Sequence, residues 1–178
     1  MDTARFEKGQ YVVYGTNGIC MIEELKEMRF AAGMEKNTYY ILKPASANAS
    51  TIFVPIDNEK LMAKMRPLMS RDDIHDLLLG IQGKEILWTT DRRARSEKFH
   101  DIMVKGVTED LLLMIRCIYK RKRELLTGNR KLPTTDSNML KSAEKLVEEE
   151  FAYVLGIEPK DVGKYIRELL EVPETDEE

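Results

Sequence analysis

At Ser70 the spacing of apolar residues changes from about two to about 3.6, and this switch constrains the fold more than any other feature of the chain. Ahead of it lie short β-branched and aromatic stretches parted by turn residues. Q-Y-V-V-Y (10–14) runs into G-T-N-G, and I-C-M-I-E-E-L-K-E-M-R-F (19–30) alternates as a strand does. Residues 31–37 read as a loop, with further strands over 37–44 and 50–56. Pro55 falls at a strand end, where a missing N–H is tolerated.

Behind Ser70 the period is helical. Ser70 is a candidate N-cap with acids in the next turn, Gly80 lies near the helix end, and 81–85 is polar. A helix is predicted over 91–106, ending at Gly106. A second, over 108–128, takes Thr108 as N-cap and carries acids first and bases last. A third, over 137–156, lines up Met139/Leu140, Ala143, Leu146/Val147, Phe151 and Val154/Leu155 on one face. A fourth, over 158–171, has Pro159 at its first position. The pattern predicts an α+β protein of two domains. The first, 1–69, is a small Tudor- or SH3-like β-barrel; the second, 84–172, is an all-α helical bundle. A linker helix, 70–83, joins them, and an acidic tail, 173–178, follows.

The charge is segregated. Residues 84–131 carry 13 basic and 7 acidic side chains, net +6, whereas 144–178 carry 4 basic and 12 acidic, net −8. A basic segment in a chain of net charge −3 points to a polyanion partner. There is no run of about 18 apolar residues and no apolar signal core near the start, so neither a membrane partner nor a secretory signal is expected. Cys20 and Cys117 lie among apolar neighbours without metal-binding spacing. Both are expected as reduced core residues of a cytoplasmic protein. His75 and His100 stand beside no cysteine or paired acid, and phosphate-loop, dinucleotide and nucleophile-elbow motifs are absent from the sequence. No enzyme, metal or cofactor is expected.

The single tryptophan, Trp88, sits where the apolar pattern breaks, just ahead of Arg92, Arg93, Arg95 and Lys98. Arginines at a helix N-terminus oppose the dipole, which is easier to understand if phosphate is their neighbour. The next helix ends in K-R-K-R (120–123), followed by Arg130 and Lys131. The indole has two readings. It packs over the bundle, or it projects as a wedge that parts a base step while Arg92, Arg93, Arg95, Lys98, Lys120, Lys122 and Arg130 hold phosphates.

Taken together, these segments resemble the CarD/CdnL family of bacterial transcription regulators. F-E-K-G-Q-Y-V-V-Y-G-T-N-G-I (6–19) is similar to the family's F-x-x-G-D-x-V-V-Y-P-x-x-G opening, with Gln10 and Gly15 at the aspartate and proline positions. Y-Y-I-L-K (39–43), T-I-F-V-P (51–55) and M-R-P-L-M-S (65–70) resemble its later segments. W-T-T-D-R-R-A-R and K-L-P-T-T-D-S-N-M-L-K-S-A-E-K-L-V-E-E-E-F-A (131–152) resemble its second half. The resemblance implies a Tudor-like domain that adds a strand edge to the β subunit of RNA polymerase through Met28, Arg29, Phe30, Thr51, Ile52, Phe53 and Val54. It also implies a helical domain on promoter DNA at the upstream edge of the bubble, with Trp88 in the minor groove. The implied protein is a monomeric cytoplasmic regulator that stabilises the open complex and joins the nucleoid through polymerase. An adaptor that binds polymerase without touching DNA remains the alternative.

Overall fold

A computed structural model describes residues 5–29, 33, 35–46 and 49–169. Phe30 and the predicted acidic tail lie outside the described residues. The chain divides into two compact units, Met1–Leu68 and Met69–Glu178.

In the first unit, β1 (Tyr11–Tyr14) leads through a short 3-10 turn (Gly15–Asn17) into β2 (Ile19–Met28). Gly15 and Gly18 have φ of +49° and +68°, a region in which residues with a Cβ are strained, so the G-T-N-G turn needs its glycines. β3 (Asn37–Pro44), β4 (Ile52–Pro55), the short helix α1 (Glu59–Met62) and β5 (Met65–Pro67) complete the unit. All pairings are antiparallel in the order β4-β3-β2-β1-β5. The alternation of β1 to β4 sends Val12, Cys20, Ile22, Tyr40, Leu42 and Val54 to one buried face, joined by Phe6 and Met65. The Tyr40 hydroxyl accepts from the Phe6 N–H at 3.0 Å and donates to its carbonyl at 3.3 Å, which pins the N-terminal segment over that core.

The barrel expected from the strand count is not closed. β4 and β5 end the strand order, and no pairing between them is present among the described residues. β5 escaped the sequence reading because three residues ending in a proline show no alternation.

In the second unit, α2 (Arg71–Gly80) begins with a full capping box. The Ser70 hydroxyl accepts from the Asp73 N–H, and the Asp73 carboxylate accepts from the Ser70 N–H at 2.8 Å. The segment expected to be a linker, 70–83, is built into this unit. Ile74, Leu78 and Ile81 are buried in the same core as the later helices, because their i, i+4 spacing gives α2 an apolar stripe. α3 (Arg92–Lys105) ends at Gly106 in the left-handed conformation, φ +63°. α4 (Thr108–Thr127) is capped by Val107, so the expected cap, Thr108, is instead the first helical residue and is buried. α5 (Thr134–Leu155) starts three residues before the predicted bound, because Pro133 caps it and Asp136 faces inward. α6 (Pro159–Leu169) follows. The predicted face of α5 is the core face: Leu140, Ala143, Val147, Phe151 and Leu155 are buried, and Met139, Leu146 and Val154 are half-buried at its margins. Among the described residues no buried side-chain polar atom lacks a hydrogen-bond partner.

Candidate nucleic-acid interface

The Asp91 carboxylate accepts from the Ala94 N–H at 2.9 Å and starts α3, so that Arg92 and Arg93 occupy the first turn and face solvent. Arg95 lies one step further round. With Phe99, Ile102 and Met103 it shares the i, i+4, i+7, i+8 stripe of α3, and that stripe is buried. Arg95 is therefore not on the basic surface where the sequence reading put it; it is only 4% exposed. Its guanidinium donates from Nε to Asp136 Oδ1 at 3.1 Å and from Nη2 to Asp136 Oδ2 at 2.9 Å. Nη1 donates to the carbonyls of Thr89 and Thr90 at 2.7 and 3.3 Å. This fork clamps the start of α3, the segment before it and the first turn of α5 in one place.

Trp88 sits on that clamp. The ring is half-buried rather than freely projecting. It packs edge-on against Phe99 at 6.2 Å, with the Arg95 guanidinium 4.3 Å from its centroid and that of Arg121, from α4, at 5.7 Å. The ring is thus the point where the basic start of α3 meets the basic end of α4. Burial raises the Cys117 thiol on α4 above its usual range; Lys98 lowers it, Glu85 raises it, and Lys120 and Arg95 lower it. Lys120 also binds Glu85 at 3.1 Å, Arg121 binds Glu124 at 2.9 Å, and Arg93, largely exposed, meets Glu97 at 3.1 Å. Lys98 is exposed, Lys122 lies over Tyr119 at 5.4 Å, and Arg130 is exposed in the turn after α4. Arg95 and Arg121 are the cations on the indole, and Arg93, Lys120 and Arg121 each already hold a carboxylate that a phosphate would have to displace.

Two participants were missed by the sequence reading. Asp136 lies just ahead of the predicted helix, and its burial follows only once α5 starts at Thr134. Leu87 precedes Trp88 and is 72% exposed. His75 lies 3.6 Å from Asp76 at the surface and His100 is exposed. Among the described residues no metal-binding cluster forms and no helix is long and apolar enough to cross a membrane. Both cysteines are buried free thiols, Cys20 being pushed up to about 11 by burial.

In the first unit, the expected docking residues divide. Thr51, Ile52, Phe53 and Val54 lie on or beside β4, at one end of the sheet. Phe53 is exposed, whereas the Val54 side chain is wholly buried in the core, so only its backbone is on offer. Met28 ends β2 opposite Asn37, on the strand that pairs with β4, and Arg29 is exposed beyond it.

Residues 6–69 match the family model of the CarD-like/TRCF RID domain, the RNA-polymerase-interacting domain of CarD-like proteins. The chain therefore carries a polymerase-interacting domain of a transcription-associated type. No curated protein matches the chain.

Proposed function

We propose that this protein docks on the β subunit of RNA polymerase through its first unit, as a monomer, and stabilises the open promoter complex through its second. Docking adds a strand of the β subunit along β4, where backbone amides supply affinity and alternate side chains supply register. The helical unit then meets DNA at the upstream edge of the bubble, with the segment around Trp88 against a distorted base step and Arg92, Arg93, Lys98, Lys120, Lys122 and Arg130 toward phosphates. Arg95 acts from inside, by fixing Trp88 and its segment. The observation that carries this reading is the meeting of Arg95 from α3 and Arg121 from α4 on a half-buried indole, in a chain whose other unit is a polymerase-interacting domain.

A surface that fits only distorted DNA binds the open state better than the closed one and shifts the equilibrium by that difference alone. One aromatic contact is worth about 1–3 kcal/mol, or roughly five- to a hundredfold in open-complex lifetime. Polymerase docking raises the local concentration, so weak intrinsic DNA affinity is sufficient. No chemical step is assigned to the protein, and its place in the cell is the cytoplasm, with the nucleoid through polymerase. The test compares open-complex lifetime with wild type and with Trp88→Ala, alongside polymerase binding. The proposal expects a shortened lifetime and intact polymerase binding. Equal lifetimes favour the adaptor reading, which the carboxylate partners of Lys120, Arg121 and Arg93 already support in part.

A further inference from the structure

Three helix ends gather at one end of the second unit. Arg95 ties the start of α3 to Asp136 at the start of α5, and Trp88 lies between Arg95 and Arg121 of α4. The sequence loads these ends with cations. Arg92 is in the first turn of α3, Arg123 is near the end of α4, and Arg130 and Lys131 are in the turn that leads to α5. All four are exposed. Carboxylate is already a ligand of this surface, since Arg93 holds Glu97 and Arg121 holds Glu124. Among the described residues, no carboxylate comes within salt-bridge distance of Arg92, Arg123, Arg130 or Lys131.

The chain has its own acidic counterpart within reach. Segment 170–178, which lies outside the described residues, carries Glu171, Glu174, Asp176, Glu177 and Glu178 and no basic residue. Helix α6 points toward the cations. It follows α5 after a short turn through Gly156, φ +69°, and packs on the core through Val162, Tyr165, Ile166 and Leu169. Packed helices joined by a short turn run antiparallel, so α6 heads back toward the start of α5. The 22 residues of α5 cover roughly 33 Å and the 11 of α6 roughly 16 Å, which leaves the end of α6 roughly 17 Å short of that start. Nine extended residues span about 30 Å, enough to bring the acids at 174–178 onto the cations.

We propose that in the free protein the acidic segment 171–178 docks on the cations at this end of the unit and competes there with DNA phosphate. The competition rests on the DNA-contact reading above and adds its regulation. Exposed ion pairs are individually weak, but a short tether gives the segment an effective concentration of about millimolar, so it covers the cations in much of the population. Blocks of like charge commonly act as such interaction segments. The free protein is thereby held off bulk DNA. Docking on polymerase raises the local concentration of promoter DNA and tips the competition toward phosphate.

The test compares the full chain with a variant of equal length that carries Glu171→Gln, Glu174→Gln, Asp176→Asn, Glu177→Gln and Glu178→Gln. A nitroxide is also placed on Glu178→Cys in the otherwise wild-type chain, a selective site because Cys20 and Cys117 are buried. At low salt the label is expected to broaden the amide signals of Arg92, Arg123, Arg130 and Lys131, to do so equally after dilution into unlabelled protein, and to lose the effect at high salt. On a promoter fragment at low salt the neutral variant is expected to bind about three- to tenfold tighter than wild type, because the covered fraction of wild type cannot bind. Its salt dependence is steeper, since salt no longer frees the cations as it weakens the DNA contact. Absent broadening overturns the proposal. Broadening that disappears on dilution into unlabelled protein assigns the contact to a second copy and overturns it as well. Equal affinity of the two proteins for the fragment refutes the competition and leaves the DNA-contact reading intact. If neither protein binds the fragment or prolongs open complexes with polymerase, that reading falls, and the competition falls with it.

Discussion

Asp136→Ala tests the clamp on which the interface stands. In the wild type the Arg95 guanidinium and the Asp136 carboxylate are each about 5% exposed and share two hydrogen bonds. Truncating the aspartate leaves a buried guanidinium with only the carbonyls of Thr89 and Thr90, neither of which carries a full charge. Removing one partner of a buried pair costs about 3–5 kcal/mol, against a total stability of about 5–15 kcal/mol for a domain. For a unit of this size each kcal/mol lowers the midpoint by roughly 4 °C or more, so a fall of about 12 °C or more is expected. Trp88 is the only tryptophan, so its emission reports this site directly during thermal or urea unfolding. Replacing both partners by apolar residues, Arg95→Met with Asp136→Leu, restores much of the loss, since no charge is then stranded. A single Asp136→Ala variant within about 1 kcal/mol of wild type would refute the clamp, and so would a double variant as unstable as the single one.

Two further outcomes are expected. Burial, then the neighbouring charge of Glu144, raises the Glu148 carboxyl above its ordinary value. The folded state therefore takes up this proton before the unfolded chain does, and stability gains as pH falls through the raised value. Glu148→Gln raises the urea midpoint at neutral pH and removes that local gain, which paired titrations at neutral and mildly acidic pH detect. Binding of the full chain to promoter fragments falls steeply with salt, with a log–log slope of about −0.9 per phosphate contacted; a flat salt response contradicts the role given to the exposed cations.

Much of this fold was legible in the sequence because period and capping are local. The switch at Ser70, the Ser70–Asp73 capping box and the inner face of α5 all follow from residues within a few positions of one another. Sheet closure was not legible, since it depends on whether β4 meets β5, and alternation within a strand carries no information on that. At the site, the cations and Trp88 were visible as residue types, but Arg95 was assigned to the wrong side. Its spacing to Phe99, Ile102 and Met103 places it on the buried stripe, and the charge run around it masked that period. Leu87 was overlooked for the complementary reason. It reads as a core residue, and only the inward packing of Ile86 and Trp88 turns it out.

The measurement that tests the account most directly is the decay of heparin-challenged open complexes formed with wild type and with Trp88→Ala, at matched occupancy of polymerase. Wild type is predicted to slow the decay, and Trp88→Ala to lose most of that effect, about five- to a hundredfold, while still binding polymerase through its first unit. Identical decay for the two proteins contradicts the claim that the helical unit holds parted DNA.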